Sequence, residues 1–263
     1  DAAANGRVAI RSVALRGAAK PAVEEASLAI SGTRGRHEAR LEARLADGNA
    51  VRALLDGGLA AGGRLPEWRG RVELLELTGQ AAFALAAPAP LLVSAGRVEL
   101  GEALLGGEPG EIRLQHTRWT PAGFETRGSS SAVVVRTIQQ LLGLQGAMGS
   151  NLVLVGEWDV RAGETLDGFV QLRRARGDVR VGEPRQALGL ETLVLRAEAV
   201  AGRVTATADI RGRLAGQWKG EAGATVRRGD GGWEISPVAP VEGRFTVDVP
   251  DLAFLAAWIG PEA

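Results

Sequence analysis

At 263 residues the chain carries 31 Lys+Arg against 31 Asp+Glu, a formal net charge of zero that excludes the basic footprint of a nucleic-acid-binding surface. It contains no cysteine, which rules out a disulfide framework and any thiolate metal site. No apolar run is long enough to cross a bilayer as a helix, and 37 glycines with 11 prolines favour strands and turns over a helical bundle.

The chain opens with strands predicted over 6–16 and 23–31, with Lys20-Pro21 turning between them. The segment 36–45 allows two readings. As a helix it would stack Arg36, Arg40 and Arg44 in an i,i+4 row of like charge, which is unfavourable. As a strand it sends His37, Ala39, Leu41, Ala43 and Leu45 to one face and alternates Arg36, Glu38, Arg40, Glu42 and Arg44 on the other, where neighbours attract. A strand is therefore expected. The stretch 51–59 is weaker, because Ala53-Leu54-Leu55 suits a helix while Gly57-Gly58 opposes a long one. Strands at 68–78, 81–86, 91–100, 111–119 and 123–128 follow, separated by Pro88, Pro90, Gly106-Gly107, Pro109-Gly110 and Pro121.

Two segments break this rhythm. Near 131–143, Val134, Ile138 and Leu141 or Leu142 fall at helical spacing, with Ser131 as N-cap and Gly143 as stop. Near 250–260, Leu252, Leu255 and Ile259 repeat the pattern before Gly260-Pro261. Both are expected to be short amphipathic helices lying on the sheet. Further strands are predicted at 151–160, 166–174, 178–182 and 232–249.

The clearest alternation lies between these helices. Leu193, Leu195, Ala197 and Ala199 share one parity; Val204, Ala206, Ala208, Ile210 and Leu214 share the next; Ala222, Ala224 and Val226 continue it, and Phe245 and Val247 resume it later. The intervening positions are almost all polar. A period of two means strands with one dry and one wet face. Glycine-polar-apolar triplets at Gly70, Gly96, Gly202 and Gly243 read as a loose repeat of strand starts.

Catalytic chemistry is missing from the pattern. His37 and His116 each stand alone, without the clustered ligands a metal needs. Ser129-Ser130-Ser131 lacks the G-x-S-x-G elbow and reads as a turn or helix cap. Glu24, Glu25, Asp159 and Asp167 are separated by turns or opposed across a strand, and read as solvated surface charge. Trp68, Trp119, Trp158, Trp218, Trp233 and Trp258 are expected to pack or to seal edges. No catalytic residue, metal or cofactor is expected.

The run 158–179, W-D-V-R-A-G-E-T-L-D-G-F-V-Q-L-R-R-A-R-G-D-V, and the closing V-P-D-L-A-F-L-A-A-W-I-G of 249–260 resemble the translocation and assembly module proteins. These belong to the AsmA-like group of bridge-like lipid-transfer proteins of Gram-negative bacteria. The likeness extends over roughly residues 60 to 260. Trp158, Gly168, Gly177 and Asp178 match the family's pattern in structural rather than catalytic roles.

The resemblance implies an all-β chain with a few short helices, forming one elongated antiparallel or mixed β-taco over 1–263: a U-folded sheet with an apolar inner groove. It implies phospholipid acyl chains as cargo and an Omp85-type outer-membrane partner. It also implies a periplasmic location within a protein anchored in the inner membrane. The chain itself is expected to be an internal piece, without the anchor or the partner-binding part. The residues expected to line the groove are Leu193, Leu195, Val204, Ala206, Ala208, Ile210, Leu214, Ala222, Ala224, Val226, Phe245 and Val247. The alternative within the same family is a scaffold assisting insertion of outer-membrane β-barrel proteins. A closed β-sandwich whose apolar faces meet each other, and a carbohydrate-active enzyme, are the competing readings from outside it.

Overall fold

Alternation decides nearly every element. The computed structural model describes residues 4–13, 23–60, 66–79, 82–108, 110–136, 149–181, 186–229, 232–235 and 239–249, and it is almost wholly strand. Every strand pairing among the described residues is antiparallel, so the parallel component of a mixed sheet is not found there. The chain divides into two compact units, Asp1–Pro121 and Ala122–Ala263.

In the first unit, β1 (Ala4–Val13), β2 (Val23–Gly32), β3 (His37–Leu45), β4 (Ala50–Leu59) and β5 (Glu67–Thr78) form a meander, each strand paired with the next. The long β5 then pairs with two short strands, β6 (Phe83–Leu85) and β7 (Ala89–Ser94). These lead through β8 (Arg97–Leu100) and β9 (Ala103–Gly107) to β10 (Gly110–Thr120). Registration aligns Val8, Leu28, Leu41, Ala53 and Leu75 in one apolar row across five strands.

The strand expected at 36–45 is β3, and 51–59 is strand as well. Glycine decides that second case: a Cβ on Gly57 would meet the Arg69 carbonyl oxygen at 2.5 Å, so this strand approaches its neighbour too closely for a side chain. The single strand expected at 91–100 is two, because Ala95-Gly96 turns the chain back. Gly96 and Gly202 do stand at turns before strands, whereas Gly70 and Gly243 lie inside them. The glycine triplet is therefore no uniform start signal.

In the second unit, β11 (Gly123–Val134), β13 (Val153–Ala162), β14 (Leu166–Arg176), β17 (Leu190–Val200), β18 (Arg203–Gly212), β19 (Gly216–Gly229) and β21 (Glu242–Asp248) pair in that order. The short β20 (Gly232–Ile235) pairs with the far end of β19. A separate three-stranded sheet joins β12 (Gly149–Ser150), β15 (Val179–Val181) and β16 (Gln186–Ala187). The region 232–249, expected to supply further strands, holds β20 and β21.

The helix expected near 131–143 begins too early. Residues 131–134 continue β11 past a bulge, only Val135 and Arg136 are helical, and the remainder lies outside the described residues. Ser131 is consequently no N-cap, and Ser129-Ser130-Ser131 is strand rather than turn. The period-two pairing with β13 overrides the helical spacing. The helix expected near 250–260 lies outside the described residues.

Burial is thin. No large side chain among the described residues is fully buried. In the second unit Leu152, Leu190 and Ala215 form a small core at one end of the strands, flanked by Leu154, Leu193 and Ile210.

Candidate functional site

Two cross-strand rows define the site. One runs Leu172, Leu195, Ala208, Gly220, Phe245, and the other Val170, Ala197, Ala206, Ala222, Gly243, across β14, β17, β18, β19 and β21. Alternation puts both rows on one face. Val170, Leu172 and Leu195 stand at one side and Phe245 at the other, with Ala or Gly between them, and these residues line an open concavity of about 510 Å³. Phe245 leans over Gly220, where an added Cβ would meet its ring at 2.7 Å. Trp218 abuts Phe245 edge to face, with ring centroids 5.7 Å apart, and its indole N–H donates to the Ala215 carbonyl.

The described residues leave this face uncovered. Val170 is 41% exposed, Leu195 36% and Phe245 60%, where a sheet packed under a second layer would bury all three. None of the residues in the two rows is titratable. What the arrangement offers chemically is a dry, weakly corrugated surface able to exclude water.

The opposite face is polar and bound together. Gln171 donates to Glu157 Oε1 at 3.1 Å, and Arg196 Nη1 donates to Gln171 Oε1 at 3.2 Å. The Arg196 guanidinium lies over the Phe169 ring, 4.5 Å from its centroid, and pairs with Glu198 at 3.0 Å. These contacts tie β13, β14 and β17 together on the side away from the two apolar rows.

Asp178 fixes the end of the sheet. Its carboxylate accepts backbone N–H groups from Val179, Gly189 and Leu190 at 2.8, 2.8 and 3.1 Å, and its own N–H donates to Asn151 Oδ1. Trp158 donates its indole N–H to Thr126 Oγ1, and Gly168 and Gly177 adopt φ of 116° and 87° against neighbouring backbone. All four therefore shape turns or pairing.

Of the residues singled out from sequence, Leu195, Ala206, Ala208, Ala222 and Phe245 line the concavity. Leu193, Ile210 and Val247 align with Trp218 in the adjoining row, and Val204 and Ala224 align beyond Ala206 and Ala222. Val226 lies further along β19, opposite Ile235. Leu214 is off the face. The strand stops at Gly212, and Leu214 sits in the following turn with its N–H bound to the Leu188 carbonyl. Sequence reasoning omitted Val170, Leu172, Ala197, Gly220 and Gly243. Their parity carried the signal, but glycine reads as a spacer until its register is known. Compared with family models, curated proteins and solved structures, the chain matches none of them.

Proposed function

We propose that the uncovered face of the second unit is a groove segment that shields acyl chains. In this reading the chain is part of a periplasm-spanning bridge, anchored in the inner membrane, that supports phospholipid transport to the outer membrane with an Omp85-type partner. The observation that carries it is the pair of apolar rows that no described residue covers. The face would be the inner wall of a β-taco. Burying each methylene there contributes about 0.8 kcal/mol, and five strands at about 4.8 Å spacing give some 19 Å of continuous apolar surface. Among the described residues this surface is open, so it suits weak, sliding occupancy rather than one tight ligand.

Native mass spectrometry of the purified chain tests this directly. Co-purified phospholipid, displaced by Ala206→Arg with strand content unchanged by circular dichroism, is the expected result. A chain that carries no lipid and takes up none from added vesicles would overturn the proposal.

A second reading, a scaffold for β-barrel insertion, has one observation in its favour. All seven residues of β21 are exposed, and among the described residues its only partner is β19, which leaves one edge open to strand addition. Protection of β21 amides from hydrogen exchange by an unfolded β-barrel peptide, but not by lipid, would favour it over the first.

A further inference from the structure

We infer that the open edge of the second unit pairs with the same edge of a second copy of this chain, β21 against β21. This goes beyond the groove reading, because it depends on the edge of the sheet and not on what the face holds. The strand reads Glu242-Gly243-Arg244-Phe245-Thr246-Val247-Asp248, and among the described residues it pairs with β19 alone. Its other side presents backbone N–H and C=O groups to water, the template on which a further strand adds. Phe245 and Val247 of this edge are more exposed than Val170 and Leu195 further into the sheet.

The order of residues along the strand selects a copy of itself as the partner. A two-fold axis that keeps both apolar faces on one side of the sheet runs the two edges antiparallel, and every contact is then made twice. Directly opposite residues share a face, so odd positions must meet odd and even positions even. Three registers of this kind match at least five residues of β21. Centred on Arg244, the pairing sets that arginine against itself. Centred on Phe245, it sets Glu242 against Asp248 twice. Centred on Thr246, it sets Arg244 against Asp248 twice, with Phe245 against Val247 on the apolar face. Like charges directly opposite destabilise a strand pair and opposite charges stabilise it, so the third register wins.

The charges within the unit agree with this register. Glu242 lies outside the matched segment and is already paired with Arg203 at 3.6 Å. Asp248 stands opposite the uncharged Gln217 on β19. Arg244 stands opposite Glu221, and both of its neighbours in the matched pair are on the polar face, so an acid from the second copy adds to that row without crossing to the apolar side. Phe245 and Val247 meet across the new edge, and the apolar faces of the two copies join into one surface of ten strands, about 43 Å wide. Five paired residues bury much less than a standard interface, so the dimer is weak and forms with concentration.

Sedimentation velocity of the full chain without lipid, over a concentration series, tests the pairing. The expected result is a monomer that converts to a dimer as concentration rises. Arg244→Asp sets acid against acid and Asp248→Arg sets base against base, so each variant alone should associate about tenfold more weakly. An equal mixture of the two variants should recover the dimer, because one copy then presents acids at both positions and the other bases. Both side chains are exposed, so circular dichroism should not change. A chain that stays monomeric throughout, or a dimer that ignores both reversals or is not recovered by mixing, would overturn this inference and leave the groove reading intact. Protection of β21 amides by an added β-barrel peptide, but not by raised concentration, would give the edge to another polypeptide and equally overturn self-pairing. Lipid uptake by the same variants is measured separately, so loss of the groove reading would leave the dimer standing.

Discussion

Ala201 has a backbone that alanine rarely adopts. It lies at φ 49°, followed by Gly202 at φ 79°, in the two-residue turn joining β17 to β18. Positive φ at both central positions is the hairpin turn that favours Asn-Gly, and a Cβ residue there costs on the order of 1–2 kcal/mol. Asp167 offsets part of this by accepting the Ala201 N–H at 2.7 Å. Ala201→Asn is expected to stabilise the chain by about 0.5–1 kcal/mol in urea unfolding; an unchanged midpoint would show that the turn is not strained. Gly202 was readable from sequence as a turn before a strand. The left-handed Ala201 was not, because nothing in an alanine announces it.

Asp167 also carries a pH dependence. The Thr165 hydroxyl, the Ala201 N–H and the charge of Arg161 hold its carboxyl below the ordinary value of 3.8. A depressed folded-state pKa contributes stability that is present above the unfolded value and lost as pH falls through the folded one. The stability difference between the wild type and Asp167→Asn should therefore be full above about pH 4 and shrink below it. Equal differences at pH 3 and pH 6 would contradict the assignment. Sequence reasoning gave Asp167 only a solvated surface role, since its partner Ala201 is brought near by strand pairing alone.

Among the elements, β4 and β5 approach each other closely beside Trp68. Trp68 lies over Gly57 and Gly70, and an added Cβ at either would meet its ring at 2.5 or 2.4 Å. Its indole N–H donates to His37 Nε2 at 2.8 Å, while His37 Nδ1 contacts the Thr33 carbonyl at 3.0 Å. With Nε2 accepting, the neutral ring carries its proton on Nδ1. Gly57→Ala should cost about 1–3 kcal/mol, because backbone as well as the indole must move. Urea unfolding followed by tryptophan fluorescence reads both the stability and the Trp68 environment. That β3 is a strand could be argued from its charges, and Arg40 does sit 3.3 Å from Glu38 on the outer face. That a histidine and a tryptophan 31 residues apart would bond could not, since register is a property of the pair of strands and not of either sequence.

Among the described residues of each unit, the decisive property is how little is buried. Small residues such as Ala39, Ala53, Ala89, Ala103 and Ala199 make up much of the buried set, and Val8, Trp119 and Phe245 are each half exposed or more. Less apolar burial means a smaller heat-capacity change on unfolding. Calorimetry should give a value below the usual 12–15 cal/mol/K per residue, roughly. Ala206→Arg, on the exposed face, should change stability by no more than about 0.5 kcal/mol. A large loss would mean that the face is covered. One-sided alternation was plain in the sequence, but a closed sandwich would have produced the same alternation. Among the described residues, the exposure of Val170, Leu195 and Phe245 is what a closed sandwich would not leave on this face.

The meander has a further consequence for size. From β11 to β21 each principal strand is hydrogen-bonded to the next one in that series, and no distant segment is woven between them. Length then behaves as an adjustable quantity, because interactions reach only to nearest neighbours. Duplicating or deleting one hairpin would widen or narrow the sheet by about 10 Å and preserve strand polarity. A sheet paired this way can gain or lose width one hairpin at a time, its other pairings undisturbed.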